Sequence, residues 1–100
     1  MAPQRTRNLA EITQEVVSWA NENIPDRTVQ SMLLKMCEEV GAAVAKPSDP
    51  LQLANIMIVL VDIADTQGID LSEAVADQMA INKIRRWHKN RITGVMEHVK

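Results

Sequence analysis

A line of four polar residues runs through the most apolar stretch of the chain, LQLANIMIVLVDIADTQ (51–67). Gln52, Asn55, Asp62 and Thr66, with Val59 completing the row, recur at i, i+3, i+7, i+10 and i+14. That spacing places them on one line of a helix. A helix that is apolar nearly all round is expected to be buried. A polar line inside it must meet other polar groups, a ligand or a metal. Amides and a carboxylate in such a line can accept and donate hydrogen bonds to a bound molecule, and the carboxylate can also hold a cation or pair with a base.

Helical elements must position this line. The stretch starts sharply: Asp49 suits an N-cap, Pro50 the first helical position, and Gln52 the place of a capping-box partner. Gly68 suits the left-handed position after the helix, with Ile69 packing back on the last turn. A first helix is read from Leu9 to Asn23, capped by Asn8 and ended by Pro25-Asp26; Leu9, Ile12, Val16, Trp19 and Ala20 share one face. A second runs from Val29 to Ala45, capped by Asp26 or Thr28. Its core face is Met32, Leu33, Met36, Val40 and Val44, beside a face with Lys35, Glu38, Glu39, Ala42 and Lys46. Lys46-Pro-Ser-Asp-Pro50 makes a tight loop.

Asp70 and Glu73 form a second capping box, opening a fourth helix to about Lys89. Leu71, Ala74, Val75 and Met79 are its apolar face, and Gln78, Asn82 and Arg85 or Arg86 its polar one. Residues 1–8 read as a flexible arm, 9–89 as the helical domain and 90–100, with Gly94 and no period, as a tail. No strand is visible, so the class is all-α with four main helices, the third buried.

Composition excludes several functions. One hundred residues, 46% apolar and 24% charged, suit one globular domain. The net charge of −2 gives no basic face for general nucleic-acid binding. The single cysteine, Cys37, cannot form an internal disulfide, which fits a reducing cytoplasm, and reads as an inert thiol in or near the core. The opening MAPQRTRN has no apolar core, so no signal peptide is expected. The apolar run is too short and interrupted to span a bilayer. The apolar girdle of the third helix exceeds what a subunit of this size can cover, which points to a homodimer or higher oligomer. His88 and His98 have no cysteine or carboxylate at metal spacing and read as surface residues.

Taken together, the Trp-containing first helix with Pro25-Asp26, LLKMCEEVGA (33–42), KPSDP (46–50), QLANIMIVLVDIADTQGIDLSEAVADQMAINKIRRW (52–87) and GVMEHVK (94–100) resemble the short MazG-like proteins of the all-α nucleoside triphosphate pyrophosphohydrolases. The resemblance implies a MazG-like helical bundle, with sites near subunit interfaces. It also implies a chemistry. Active relatives carry E-E-x-x-E on the second helix and E-x-x-D on the third, two pairs of hard oxygen ligands that hold Mg²⁺. The metal holds the triphosphate and activates the water that releases pyrophosphate and a nucleoside monophosphate.

This chain keeps little of that cluster. Glu38 and Glu39 match the opening pair, but Ala42 stands for the third glutamate, and Gln52 and Asn55 for the glutamate and aspartate of the third helix. Relatives often carry a lysine near Gln78, which is neutral here. Losing carboxylates and a cation together leaves a neutral polar seam rather than unpaired charge, which marks a weak or inactive copy. If active, the copy would use Glu38, Glu39 and Asp62 for catalysis, with Glu39, Gln52 and Asn55 around a weakly held Mg²⁺ or Mn²⁺. Lys35, Gln78, Asn82, Arg85 and Arg86 would then contact the nucleoside triphosphate. The alternative is a non-catalytic helical oligomer that binds a nucleotide or a protein. Bland roles stand beside these: Gln52 equally as a capping-box partner, Asn55 as an interhelical polar residue, Glu38 and Glu39 as a solvated face, and Asp62 as partner of a basic residue on the fourth helix.

Overall fold

The computed structural model describes residues 7–99; expectations for residues 1–6 and for Lys100 lie outside them. In chain order the elements are α1 (Leu9–Asn23), α2 (Val29–Ala45), α3 (Pro50–Thr66), α4 (Leu71–Ile84), β1 (Trp87–Lys89) and β2 (Met96–His98). The chain divides into two compact units, one ending at Asp70 and the other beginning at Leu71.

In the first unit, local chemistry fixes the helix ends. Asn8 Oδ1 accepts from the Glu11 amide at 2.9 Å and caps α1. Thr28, not Asp26, caps α2: its Oγ1 accepts from the Ser31 amide at 3.1 Å, and the Thr28 amide donates back to Ser31 Oγ at 2.9 Å. Asp49 Oδ1 accepts from the Leu51 and Gln52 amides, with Pro50 at the first helical position. At the far end of α3 the Gly68 amide donates to Asp65 O and the Ile69 amide to Ala64 O, while Gly68 takes φ +68°, the Schellman arrangement. Both α1 and α2 pack on α3. The core between them is thin: Ala20, Met32, Ala43, Val61 and Ala64 are buried, Val61 completely.

This packing corrects three expectations. The third helix is buried only around Val61, Asp62 and Ala64, whereas Leu51, Leu53 and Met57 are exposed on the isolated chain, because two helices cover only part of its circumference. On α2 the inward residues are Met32, Met36, Glu39 and Ala43, at i, i+4, i+7 and i+11, while Leu33, Val40 and Val44 face outward. The expected face was rotated because apolar residues occur on several sides of this helix. Cys37, expected in or near the core, is exposed.

In the second unit α4 stops at Ile84, short of Lys89, and a two-stranded antiparallel hairpin follows where no strand was expected. Trp87 pairs with His98, His88 with Glu97 and Lys89 with Met96. Asn90 builds the turn: its Oδ1 accepts from the Ile92 and Thr93 amides, its amide donates to Val95 O, and Gly94 supplies φ +77°. Trp87 Nε1 donates to Asn82 O at 3.0 Å and ties the hairpin to α4; the indole also meets the His98 ring edge-on, centroids 5.7 Å apart. Among the described residues no helix is long and apolar enough to cross a membrane.

Candidate functional site

The polar line of α3 faces a pocket of about 520 Å³ in the first unit. Helix α1 contributes Val16, Trp19 and Ala20, and the connection to α2 contributes Ile24, Asp26 and Arg27. Helix α2 adds Ser31, Met32, Lys35 and Glu39, and α3 adds Asn55, Ile58, Val59 and Asp62. Most of this wall is apolar, and Trp19, 56% exposed, offers an aromatic face. Thr66 turns away, its hydroxyl donating to Ile63 O.

At one end, Asp62 is buried and held by Arg27, a residue the sequence reading did not single out. Arg27 Nε lies 2.7 Å from Asp62 Oδ2 and Nη2 lies 2.8 Å from Oδ1. Nη1 donates to Ile24 O and Nη2 also to Asn21 Oδ1, so every guanidinium nitrogen is engaged. The bidentate hydrogen bond to Asp62 raises the Arg27 pKa further above its ordinary value. Asp62 therefore pairs with the α1–α2 connection and not with a basic residue on α4, and both its oxygens are occupied. The signal available in the sequence was Arg27 itself, a cation in the short connection between helices that both pack on α3.

Midway along α2, Glu39 is the centre of a second network. Gln52 Nε2 donates to Glu39 Oε2 at 2.6 Å and to Glu39 O at 3.2 Å. Lys35 Nζ lies 3.2 Å from Glu39 Oε1 and 3.6 Å from Glu38 Oε1. Gln52 thus serves the Glu39 carboxylate with its side chain, and only its backbone amide takes part in the Asp49 cap. The hydrogen bond from Gln52, then that from Lys35, and a smaller one from Asn55 hold the Glu39 pKa below the ordinary carboxylate value; the bond to Glu39 raises that of Lys35. Glu39 thus contributes stability above the ordinary carboxylate range, lost as pH falls through its lowered value. Lys35 contributes below the ordinary ammonium value, and this is lost as pH rises through its raised one. Glu38 and Ala42 lie on the exposed side of α2, outside the pocket wall.

The second unit holds the other expected contacts. Gln78 Nε2 donates to Asn82 Oδ1 at 2.9 Å on one face of α4, while Arg85 and Arg86 follow the helix and are exposed. His88 lies against Glu97 across the hairpin.

The residues present do not fit a divalent-metal centre. Among the described residues no three His, Cys, Asp or Glu side chains come together to hold an ion. Glu39 has one oxygen against an ammonium and the other against an amide N–H. Gln52 turns its donor to the carboxylate because its carbonyl oxygen there would set two acceptors together.

Helices, connections and pocket together define the MazG-like all-α fold. A solved structure described as cyanophage S-2L MazG-like pyrophosphohydrolase bound to dGDP and three catalytic Mn²⁺ ions per active site superposes with a TM-score of 0.86 at 33% identity, over 95% of this chain and 100% of that one. The profile of the dATP/dGTP pyrophosphohydrolase family matches residues 12–100, and the chain belongs to that family. A dATP/dGTP diphosphohydrolase of Cyanophage S-2L is 33% identical over 91% of this chain and 88% of its own length. Another, of Salmonella phage PMBT28, is 36% identical over 94% of this chain, which spans only 32% of that longer protein.

The buried pair makes a direct prediction. Arg27→Ala leaves Asp62 as an uncompensated buried charge and should lower stability by about 3–5 kcal/mol in denaturant melts, whereas replacing both residues by leucine should recover most of the loss.

Proposed function

We propose that this chain is a member of the dATP/dGTP pyrophosphohydrolase family that binds purine deoxynucleotides in the first-unit pocket without metal-dependent hydrolysis. One observation carries the reading: Glu39, the carboxylate of the expected ligand set retained in the pocket, is hydrogen-bonded by Gln52 through one oxygen and paired with Lys35 through the other. Gln52 and Asn55 keep the shape of acidic ligands but not their charge, and Ala42 keeps neither. Mg²⁺ and Mn²⁺ depend on anionic oxygens, so each loss weakens the ion, and without it neither the phosphates nor the attacking water is polarised. Asp62, fixed by Arg27, shapes the pocket rather than binding a metal. The pocket itself persists, with the Trp19 face available to stack on a base.

The chain should release no pyrophosphate from dATP or dGTP above background with either Mn²⁺ or Mg²⁺. A variant carrying Ala42→Glu, Gln52→Glu and Asn55→Asp should gain metal-dependent release. Turnover by the unaltered chain would overturn this reading.

Self-association belongs to the same proposal. The core is thin, and Leu33, Leu34, Val40 and Val44 on α2 with Leu51, Leu53 and Met57 on α3 remain exposed. A second copy of the chain would cover such a surface and complete the core. Light scattering at micromolar concentration should give a dimeric or larger mass; a monomeric mass would count against it.

A further inference from the structure

The pocket has a charge balance that does not suit a polyphosphate. Its wall includes the anions Asp26, Glu39 and Asp62 against the cations Arg27 and Lys35, an excess of one negative charge. Both cations already have acidic partners. Arg27 has every nitrogen engaged, two of them on Asp62, and Lys35 is shared between Glu38 and Glu39. A divalent ion would ordinarily reverse this balance, but the residues do not fit one. What remains favourable is the apolar wall and the Trp19 face, which act on the uncharged part of a nucleotide.

We propose that the pocket prefers purine deoxynucleosides and their monophosphates to the triphosphates, the reverse of the order a metal-centred pocket would give. The proposal rests on the reading that the pocket binds purine deoxynucleotides. Its physical basis is that base stacking contributes equally to every member of the series. Each added phosphate brings further negative charge toward a wall that is already negative. The Asn55 amide also lines the pocket and can donate to and accept from a base edge, a role closed to an acidic side chain holding a metal.

The full chain should be titrated calorimetrically, with EDTA present, with deoxyadenosine, dAMP and dATP, and with the guanine series. The dissociation constant should rise with each phosphate, by about tenfold or more from deoxynucleoside to triphosphate. Added sodium chloride should narrow the gap, because it screens a repulsion. Glu39→Gln and Asp26→Asn, each of which removes one negative charge from the wall, should each lower the ratio of triphosphate to deoxynucleoside dissociation constants. Affinity that rises with phosphate number and weakens with salt would overturn the inference and leave the nucleotide-binding reading intact, with Lys35 as a phosphate contact. Failure of every ligand to bind would overturn both.

Discussion

A carboxylate at the centre of an apolar helix has to be paired, and the pairing of Asp62 with Arg27 organises the first unit. Asp62 is the buried charged residue among the described residues. Satisfying it brings the α1–α2 connection onto α3, and Arg27 draws in the end of α1 through Ile24 O and Asn21. The pair joins the α1–α2 connection to α3 within the pocket wall. A buried ion pair of this kind is a poor source of net stability compared with an apolar substitute, but it tolerates few alternative arrangements. Its contribution here is to fix where the pocket wall stands.

The second network follows a different logic. The family's chemistry concentrates carboxylates, which repel one another unless a metal is bound. In this chain an amide donates to the retained carboxylate and an ammonium neutralises it, so the cluster is self-contained. The Glu39–Gln52 contact also ties α2 to α3. On the proposed reading, this contact and metal-dependent chemistry compete for one side chain.

Much of this was legible from residues alone. Asn8, Asp49-Pro50 and Gly68-Ile69 mark helix ends because each satisfies backbone groups that only a few residue types can serve. The row Gln52, Asn55, Val59 and Asp62 was recognisable by spacing, and its last three members line the pocket. Arg27 was not, because a partner separated by 35 positions leaves no periodic trace. The inward face of α2 was misplaced by the apolar residues Leu33, Val40 and Val44, which look like core but face outward. The hairpin escaped because three-residue strands are too short to show alternation, although Asn90 and Gly94 carry the turn chemistry.

On the proposed reading the Glu39 carboxylate is closed to a divalent ion. Electron paramagnetic resonance of Mn²⁺ tests it most directly, since the signal of the free ion is lost on binding to protein. Titrated into the native chain, Mn²⁺ should keep its full free-ion signal, while the chain carrying Ala42→Glu, Gln52→Glu and Asn55→Asp should quench it in a saturable way. Saturable quenching by the native chain would contradict the account, because Glu39 would then be exchanging Lys35 and Gln52 for the metal.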